Sequence, residues 1–232
     1  MKNMRFFTLT VSIILLLTIA VSAQPFKDEP VSPVSMKEIF PVEKGMEWKY
    51  KRDSKEGVSH FTTRFLGTFQ KEGEEYFILG NPSGVSYFER KDDVLYHSGI
   101  APAEDLKKVK YYRDGKIIRL KKPLKKGEKW EGSAWLDKNG QSIYTNYKTE
   151  ILGWEQEEVP AGSYDSVVTS STINNVFLNE ETGFGKGVIL HEKAWYAPGT
   201  GLIHRQRELM YKGGARVMLH NDELETFERE EE

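Results

Sequence analysis

Clustered carboxylates are the first residues in this sequence whose spacing could support chemistry. Glu155, Glu157 and Glu158 stand close together, and the pair Glu180-Glu181 follows later in the chain. A glycoside hydrolase needs two carboxyl groups at a fixed separation inside a cleft. Exposed loop acids are the simpler interpretation, because charged side chains are seldom buried without partners. We therefore predict no catalytic residue in this cluster.

Histidines are the next candidates, as ligands of a metal ion. The chain has five of them: His60, His97, His191, His204 and His220. No two have the i, i+2 or i, i+4 spacing of a compact ligand pair. If Tyr196 pairs with Leu202 in a hairpin, His191 faces the cation Arg207 and His204 lies elsewhere, opposite Ala194. We predict no metal site and no cofactor.

Other chemical signatures are missing from the sequence. It contains no cysteine, which excludes thiol nucleophiles, disulfides and Cys-ligated metal sites. It has no G-x-S-x-G elbow and no P-loop. The glycine-rich run 183–187 (GFGKG) lies between predicted strands and indicates a loop or hairpin tip, whose backbone amides could bind an anion. The sequence thus predicts a protein that is not an enzyme.

The N-terminal segment has the three parts of a secretory signal. Lys2 and Arg5 form the positive region, residues 6–20 form the apolar region, and 21–23 (VSA) provide small residues for cleavage after Ala23. An uncleaved anchor is the alternative, but this apolar run is shorter than the roughly 20 residues that span a bilayer. No cysteine follows the cleavage site to carry a lipid. We predict an exported protein, periplasmic or secreted, without a transmembrane segment after cleavage.

The rest of the chain has the pattern of short β-strands. Runs rich in β-branched and aromatic residues alternate with turn signals from about residue 39. The predicted strands are 60–69, 75–79, 85–90, 94–97, 108–112, 116–120, 143–152, 166–173, 187–196 and 201–211. The segments 113–116 (RDGK), 137–140 (DKNG) and 212–215 (KGGA) have the chemistry of tight hairpins. The fold class is therefore all-β, an antiparallel meander with minor helix.

The sequence also suggests how the chain is divided. We predict a signal peptide at 1–23, a Pro-containing extended tether at 24–38, a duplicated β domain at 39–220 and an acidic tail at 221–232. Helix signals are weak, and they fall at 36–40, at 103–108 and in the tail. Residues 107–129 hold eleven Lys or Arg. Alternating basic residues are typical of a solvated strand face.

An internal duplication is the most informative pattern. Segments 41–48 (PVEKGMEW) and 123–130 (PLKKGEKW) share Pro, Lys, Gly and Trp at identical spacing, and 63–67 (TRFLG) matches 149–153 (TEILG) further on. Tyr76 then matches Tyr164. Two further pairs of residues match in the same order. The first repeat has Tyr87-Phe88 and then Val94-Leu95, and the second has Trp195-Tyr196 and then Leu202-Ile203. The two repeats, about 39–100 and 121–211, are expected to join into one strongly curved sheet, half-barrel or barrel-like, because strand twist accumulates.

Three strings in the second repeat resemble a known family. They are 123–130 (PLKKGEKW), 159–165 (VPAGSYD) and 194–203 (AWYAPGTGLI). In this order they resemble a widespread set of exported bacterial proteins of unknown function with the pattern P-L-x-x-G-x-x-W, V-P-A-G-x-[FY], W-[YF]-A-P-G-x-G-[LV]-[VI]. The resemblance covers roughly residues 121–211, and Ser163 and Asp165 depart from the residues common in that family. It implies an all-β exported module without established catalysis.

The motifs also have structural interpretations. Pro160-Ala161-Gly162 predicts a turn, and Pro198-Gly199 predicts a type II turn with Gly201 at a bulge. In that hairpin Trp195 is expected to face Ile203. We predict that Trp48, Trp130 and Trp195 belong to the core, and leave Trp135 and Trp154 open.

Aromatic residues make up 12% of the chain, and on a curved sheet they can line a cavity. The first hypothesis is accordingly a non-catalytic exported β-domain that binds a lipid or another apolar or amphipathic molecule on the concave sheet face; the ligand-binding residues are unknown. The alternative is a structural or interaction protein that docks on envelope proteins. A hydrolase of envelope polymers is a third hypothesis, although no constellation of residues supports it. Nothing in the sequence points to nucleic acid.

Overall fold

The computed structural model describes residues 26–30, 33–102, 109–138, 141–179, 185–210 and 216–229. The predicted signal peptide and the predicted helix at 103–108 lie outside these residues. One short helix is present, α1 (Met36–Ile39), as predicted, with a capping box formed by Ser35 and Glu38. Everything else of regular structure in the described residues is β-strand, so the predicted all-β class is confirmed.

The strands follow one another along the whole described chain. They are β1 (Glu47–Ser54), β2 (Gly57–Lys71), β3 (Glu74–Asn81), β4 (Gly84–Lys91), β5 (Val94–Ala101), β6 (Lys110–Tyr111), β7 (Ile117–Lys121), β8 (Lys129–Lys138), β9 (Gln141–Val159), β10 (Gly162–Asn179), β11 (Gly185–Ala197), β12 (Gly201–Met210) and β13 (Arg216–Glu228). All pairings between them are antiparallel.

These strands form one sheet of two meanders placed side by side. The order is β6-β5-β4-β3-β2-β1-β13-β12-β11-β10-β9-β8, and β7 pairs with β5 outside this path. The two ends of the sheet meet at Arg113, which lies between β6 and β7. Arg113 exchanges two backbone hydrogen bonds of 2.9 Å with Trp135 of β8. The sheet is therefore nearly closed and barrel-like, as the accumulated strand twist predicts.

A close backbone approach supports this junction between the sheet ends. Gly115, at φ +143°, lies so near β8 that a Cβ atom there would stand 2.1 Å from the carbonyl oxygen of Ser133. The segment 113–116 was predicted to be a tight hairpin, and that prediction is wrong. The strands on either side of it, β6 and β7, each pair with β5 and not with one another. Gly115 instead allows the backbone of this segment to approach β8 closely.

The C-terminal segment differs from the prediction. Residues 221–232 were expected to be an acidic tail with a fraying helix, but β13 extends to Glu228 and lies between β1 and β12. Leu224 and Asp222 of this strand are buried. The strand was not predicted because its many acidic residues suggested full exposure to solvent. Its residues in fact alternate, so that one face of the strand points to the core. This strand joins the two meanders.

The N-terminal segment is likewise more ordered than an extended tether. Lys27 exchanges backbone hydrogen bonds of 2.7 and 2.9 Å with Trp154 of β9. The chain passes so close to Gly153 that a Cβ atom there would lie 2.6 Å from the carbonyl oxygen of Lys27. After this contact, Met36 and Ile39 of α1 are buried in the core. Because Gly153 has no side chain, the N-terminal segment can lie this close to β9.

Positions that correspond in the two predicted repeats have similar local geometry. Trp48 pairs with Thr63 between β1 and β2, and Trp130 pairs with Thr149 between β8 and β9. The backbone N–H of Phe65 donates to Met46, as that of Ile151 donates to Glu128. Glycines at 67 and 153 both have a positive φ, +129° and +132°, beside a register shift. The β4–β5 and β11–β12 pairs also shift register after corresponding residues, Tyr87 and Trp195.

The predicted burial of three tryptophans is confirmed, whereas the predicted register of the β11–β12 hairpin is wrong beyond its first pairs. Trp48, Trp130 and Trp195 are buried, as predicted, and Trp154 is buried as well. Tyr196 pairs with Leu202, but Trp195 pairs with His204 and not with Ile203, because a bulge occurs between the two pairs. The shift also places His191 opposite Glu208 and not Arg207. The predicted bulge was thus located at the wrong residue.

Candidate functional site

A cavity of about 120 Å³ lies inside the curved sheet, between the first meander and the β11–β12 hairpin. Aromatic and aliphatic side chains form most of its wall, together with three charged residues. The lining includes Trp48, Tyr50, Phe61, Leu79, Ser86, Phe88, Arg119, Tyr196, Leu202, Arg205 and Asp222. Phe61, Leu79 and Phe88 remain partly exposed, so the cavity is accessible from solvent. The described part of the chain thus encloses an amphipathic space.

The polar ends of the aromatic wall residues are already satisfied by the protein. The indole N–H of Trp48 donates to the carbonyl oxygen of Thr200 at 2.6 Å, and the Tyr50 hydroxyl donates to that of Leu202 at 2.7 Å. Burial raises the pKa of the Tyr50 phenol, so it stays protonated. These side chains therefore present mainly their apolar faces to the cavity.

Arg119 reaches this space because β7 is irregular. Leu120 pairs with Leu95, and Ile118 pairs with Tyr96, which leaves Arg119 as the extra residue of a bulge. A bulge redirects a side chain that strict alternation would send elsewhere. Arg119 was predicted to belong to a solvated basic face, but its side chain is only 17% exposed and lines the cavity.

Glu192 of β11 is held between two arginines. Its Oε1 accepts a hydrogen bond of 2.8 Å from Arg119, and its Oε2 accepts one of 2.6 Å from Nε of Arg207. Burial alone would raise the pKa of Glu192, but the attraction of both guanidinium groups lowers it well below its usual range. Glu192 is 3% exposed and remains ionised.

Asp222 of β13 forms a second cluster of the same kind on the cavity wall. Arg52 binds it with two hydrogen bonds, of 2.6 and 3.0 Å, and Arg205 donates two more, of 2.7 and 3.3 Å. Burial opposes the ionised carboxylate, but its contacts with the His220 imidazole and with the Arg52 and Arg205 guanidinium groups lower its pKa far below the ordinary value. Asp222 thereby connects β1, β12 and β13 at the junction of the meanders.

The two clusters together contain more positive than negative charge. Four arginines pair with two carboxylates in the ion pairs described above. His97 lies in the same interior, and burial together with Arg119 and Arg207 lowers the pKa of its imidazole to about 3. It is therefore neutral at pH 7 and does not add to the excess. Of these charged residues, Arg119, Arg205 and Asp222 line the cavity itself, so its wall has a net positive charge.

The clustered glutamates that were catalytic candidates in the sequence lie outside the cavity lining. Glu155 accepts the indole N–H of Trp195 at 2.6 Å, and Glu157 contacts Nδ1 of His204 at 2.6 Å. His204 stacks on Trp195 with ring centroids 4.1 Å apart. Glu158 is exposed. These acids hold neighbouring strands together, and none of them lines the cavity.

The remaining sequence candidates are dispersed. The pair Glu180-Glu181 and the first two residues of the 183–187 run lie outside the described residues. His191 contacts Thr172, and His60 contacts Glu225 at the surface. Within the described ranges, no group of three or more His, Asp or Glu residues has the arrangement of a metal site.

Sequence reasoning missed the arginines that define the cavity. Arg205 and Arg207 alternate along β12, and this spacing predicts one shared face but not which face is inside. Their nearness in sequence to the buried Tyr196 and Ile203 was the available signal. Arg119 gave no such signal, because its inward position depends on the bulge.

Comparisons with known proteins show the fold only. No family model matches the chain. No curated protein matches it either. The crystal structure of a predicted lipoprotein from Parabacteroides distasonis is similar, with a TM-score of 0.53 and 14% sequence identity over 85% of this chain and 100% of that one. A predicted exported protein from Bacteroides fragilis, with a YmcC-like fold, has a TM-score of 0.45 and 10% identity over 82% and 98% of the two chains. In the described residues, no helix is long and apolar enough to cross a membrane.

Proposed function

We propose that this protein is exported and that it binds an amphipathic small molecule inside its curved sheet without catalysing a reaction. The single observation that carries the proposal is the cavity of about 120 Å³, which has an aromatic wall and charged groups on one side. Binding sites for small molecules commonly combine an apolar lining with a few placed polar groups.

The size of the cavity suits part of a small ligand. An apolar protein cavity of about 150 Å³ holds a molecule such as benzene. A space of about 120 Å³ therefore accommodates a head group and a few methylene groups, and the rest of a longer ligand would contact the partly exposed Phe61 and Phe88 of the lining. This geometry favours a slender amphiphile over a bulky one.

Export rests on the N-terminal sequence, with Lys2, Arg5, the apolar run and the small residues before position 24. The name of the similar Parabacteroides distasonis structure, a predicted lipoprotein, agrees with this proposal. We place the protein in the periplasm or the medium.

The non-catalytic part of the proposal rests on how the reactive groups are used. Glu155 and Glu157 are occupied by Trp195 and His204. Glu192 and Asp222 are each held by two arginines, which keep the two carboxylates ionised and unable to donate a proton. Among the described residues, the cavity lining therefore offers binding groups and no acid–base pair.

Native mass spectrometry of the protein purified without detergent from its own host tests this function directly. The expected result is a stoichiometric additional mass of small-molecule size, released by organic extraction. The variant Ser86→Phe places a ring in the cavity, and we expect it to lose this mass. Ser83→Phe, at the exposed turn before the same strand, is the matched control and should keep it.

A clean mass for the wild-type protein would contradict the binding proposal. Cross-linking in the host would then test the alternative, an interaction protein that docks on envelope proteins. Circular dichroism of Ser86→Phe is needed beside the mass spectrum, because overpacking a core costs about 1–3 kcal/mol.

A further inference from the structure

We infer that the ligand has an anionic head group, a carboxylate or a phosphate, and that Arg119 binds it. This inference rests on the proposed function, since it names the chemistry of the molecule inside the cavity. It comes from the charge balance of the cavity wall, from the hydrogen-bonding capacity of Arg119 and from the position of the apolar residues.

The first argument is the excess of buried positive charge. The side chains of Arg119, Arg205 and Arg207 are only 17%, 18% and 26% exposed, and Glu192 and Asp222 are the carboxylates they pair with. Buried charges are costly unless they are paired. With Arg52 included, four guanidinium groups share two carboxylates. Two of these arginines, Arg119 and Arg205, line the cavity, so an anion inside it completes their pairing.

The second argument is the spare hydrogen-bonding capacity of Arg119. A guanidinium group has five N–H donors in a planar fork. Within the described residues, Arg119 makes one side-chain hydrogen bond, to Glu192. Arg52, Arg205 and Arg207, by contrast, direct two N–H groups each toward a carboxylate. Arg119 is thus the arginine with most donors left for a carboxylate or phosphate, which the fork geometry suits.

The third argument is that apolar and charged walls face the same space. Arg119 and Arg205 border the cavity together with Phe61, Leu79 and Phe88. A free inorganic anion would satisfy the arginines and leave the aromatic wall unused. A neutral lipid would fill the apolar part and leave the positive charge uncompensated. An amphiphile with an anionic head satisfies both.

Isothermal titration calorimetry at pH 7 with a series of eight-carbon probes tests the inference. The probes are octanoate, octyl phosphate, octanol and octylammonium, with acetate as the head group without a chain. We expect octanoate or octyl phosphate to bind at least about tenfold more tightly than octanol, because hydrogen bonds to charged groups are the strong ones. Octylammonium and acetate should show no measurable binding. The comparison of octanoate with octyl phosphate identifies the preferred head group.

The variant Arg119→Gln assigns the head group to its residue. We expect it to bind the preferred anionic probe at least about tenfold more weakly, with binding of octanol changed less than about threefold. Arg64→Gln, an exposed arginine on β2 that does not line the cavity, is the matched control and should bind like the wild type. If Arg119→Gln does not fold, the probe series on the wild type still decides the question.

Two outcomes overturn the inference in distinguishable ways. Equal affinity for octanol and octanoate, with Arg119→Gln unchanged, refutes the anionic head but leaves the proposed function standing. Failure of every probe to bind, together with a clean native mass of the host-purified protein, refutes both. Binding of acetate as tight as that of octanoate also overturns the inference, because the ligand would then be a simple anion.

Discussion

The guanidinium group of Arg119 donates a hydrogen bond of 2.8 Å to Oε1 of Glu192 across the interior of the sheet. This contact joins β7, near one end of the sheet, to β11 in the second meander. Arg207 binds the other oxygen of the same carboxylate. Glu192 is thus the shared counter-charge of two arginines that the fold would otherwise bury without one.

Replacing Glu192 is therefore expected to destabilise the protein strongly. The variant Glu192→Gln leaves Arg119 and Arg207 without their carboxylate, and breaking a buried ion pair costs about 3–5 kcal/mol. Urea denaturation gives the free energy of unfolding. Glu131→Gln, which removes an exposed carboxylate paired with Lys148, should change little. Equal stability of the two variants would show that the interior pairing is not important for the fold.

His97 is expected to make stability depend on pH below about 6.5. Its pKa is lowered from 6.5 to about 3 in the folded protein, so between these values the unfolded chain binds a proton that the folded chain does not. Stability therefore decreases as the pH falls, by up to about 1.4 kcal/mol per pH unit for one proton. Urea denaturation between pH 6.5 and 4.5 measures the slope.

The variant His97→Phe isolates this contribution, since the ring lies beside Phe88 and Tyr112 and a phenyl group suits that environment. We expect a flatter pH dependence in this variant than in the wild type. Below about pH 4.5, Glu192 and then Asp222 add losses of the same sign, because their folded-state pKa values are lowered. A His97→Phe protein that keeps the full slope down to pH 4.5 would contradict the assignment.

The junction between the sheet ends should depend on Gly115. In Gly115→Ala the new methyl group meets the carbonyl oxygen of Ser133 and the residue keeps a positive φ. We expect a loss of about 3 kcal/mol or more, from backbone strain and overpacking together. Gly73→Ala is the control, because its φ is +81° but no atom lies within 4 Å, so it should lose only about 1–2 kcal/mol.

Hydrogen exchange adds a local measurement at the same junction. The backbone amides of Arg113 and Trp135 bond to each other's carbonyl oxygens, and in Gly115→Ala both should exchange faster than in Gly73→Ala. Unchanged exchange would mean that the two ends meet without help from Gly115.

Corresponding glycines in the two meanders should respond differently to the same substitution. Gly67 and Gly153 have nearly the same φ, so alanine brings a similar strain of about 1–3 kcal/mol at either one. At Gly153 the methyl group also meets Phe26 and Lys27, whereas nothing lies within 4 Å of it at Gly67. We expect Gly153→Ala to be less stable than Gly67→Ala by at least about 1 kcal/mol.

Limited proteolysis shows whether this difference comes from the N-terminal segment. Cleavage near Lys27 should be faster in Gly153→Ala than in Gly67→Ala, since the segment is displaced from β9. Equal cleavage rates would place the difference elsewhere in the sheet.

The sequence by itself determined the local structure. Alternating β-branched and aromatic residues located most strands, and the helical turn at 36–40 was found as well. The predicted core tryptophans are buried, because removing large aromatic side chains from water stabilises the folded protein. Pro160-Ala161 forms the two-residue turn between β9 and β10, as its residue types indicate. These features depend on neighbours in the chain.

Only the tertiary structure decided where the charged residues go. The bulge that turns Arg119 inward, the shift that pairs Trp195 with His204, and the place of β13 between β1 and β12 all depend on contacts between distant segments. A shift of one residue exchanges the two faces of a strand, and neither residue type nor spacing fixes it. The acidic end of the chain therefore resembled a tail, and Arg119 resembled part of a solvated face, until their partners across the sheet were known.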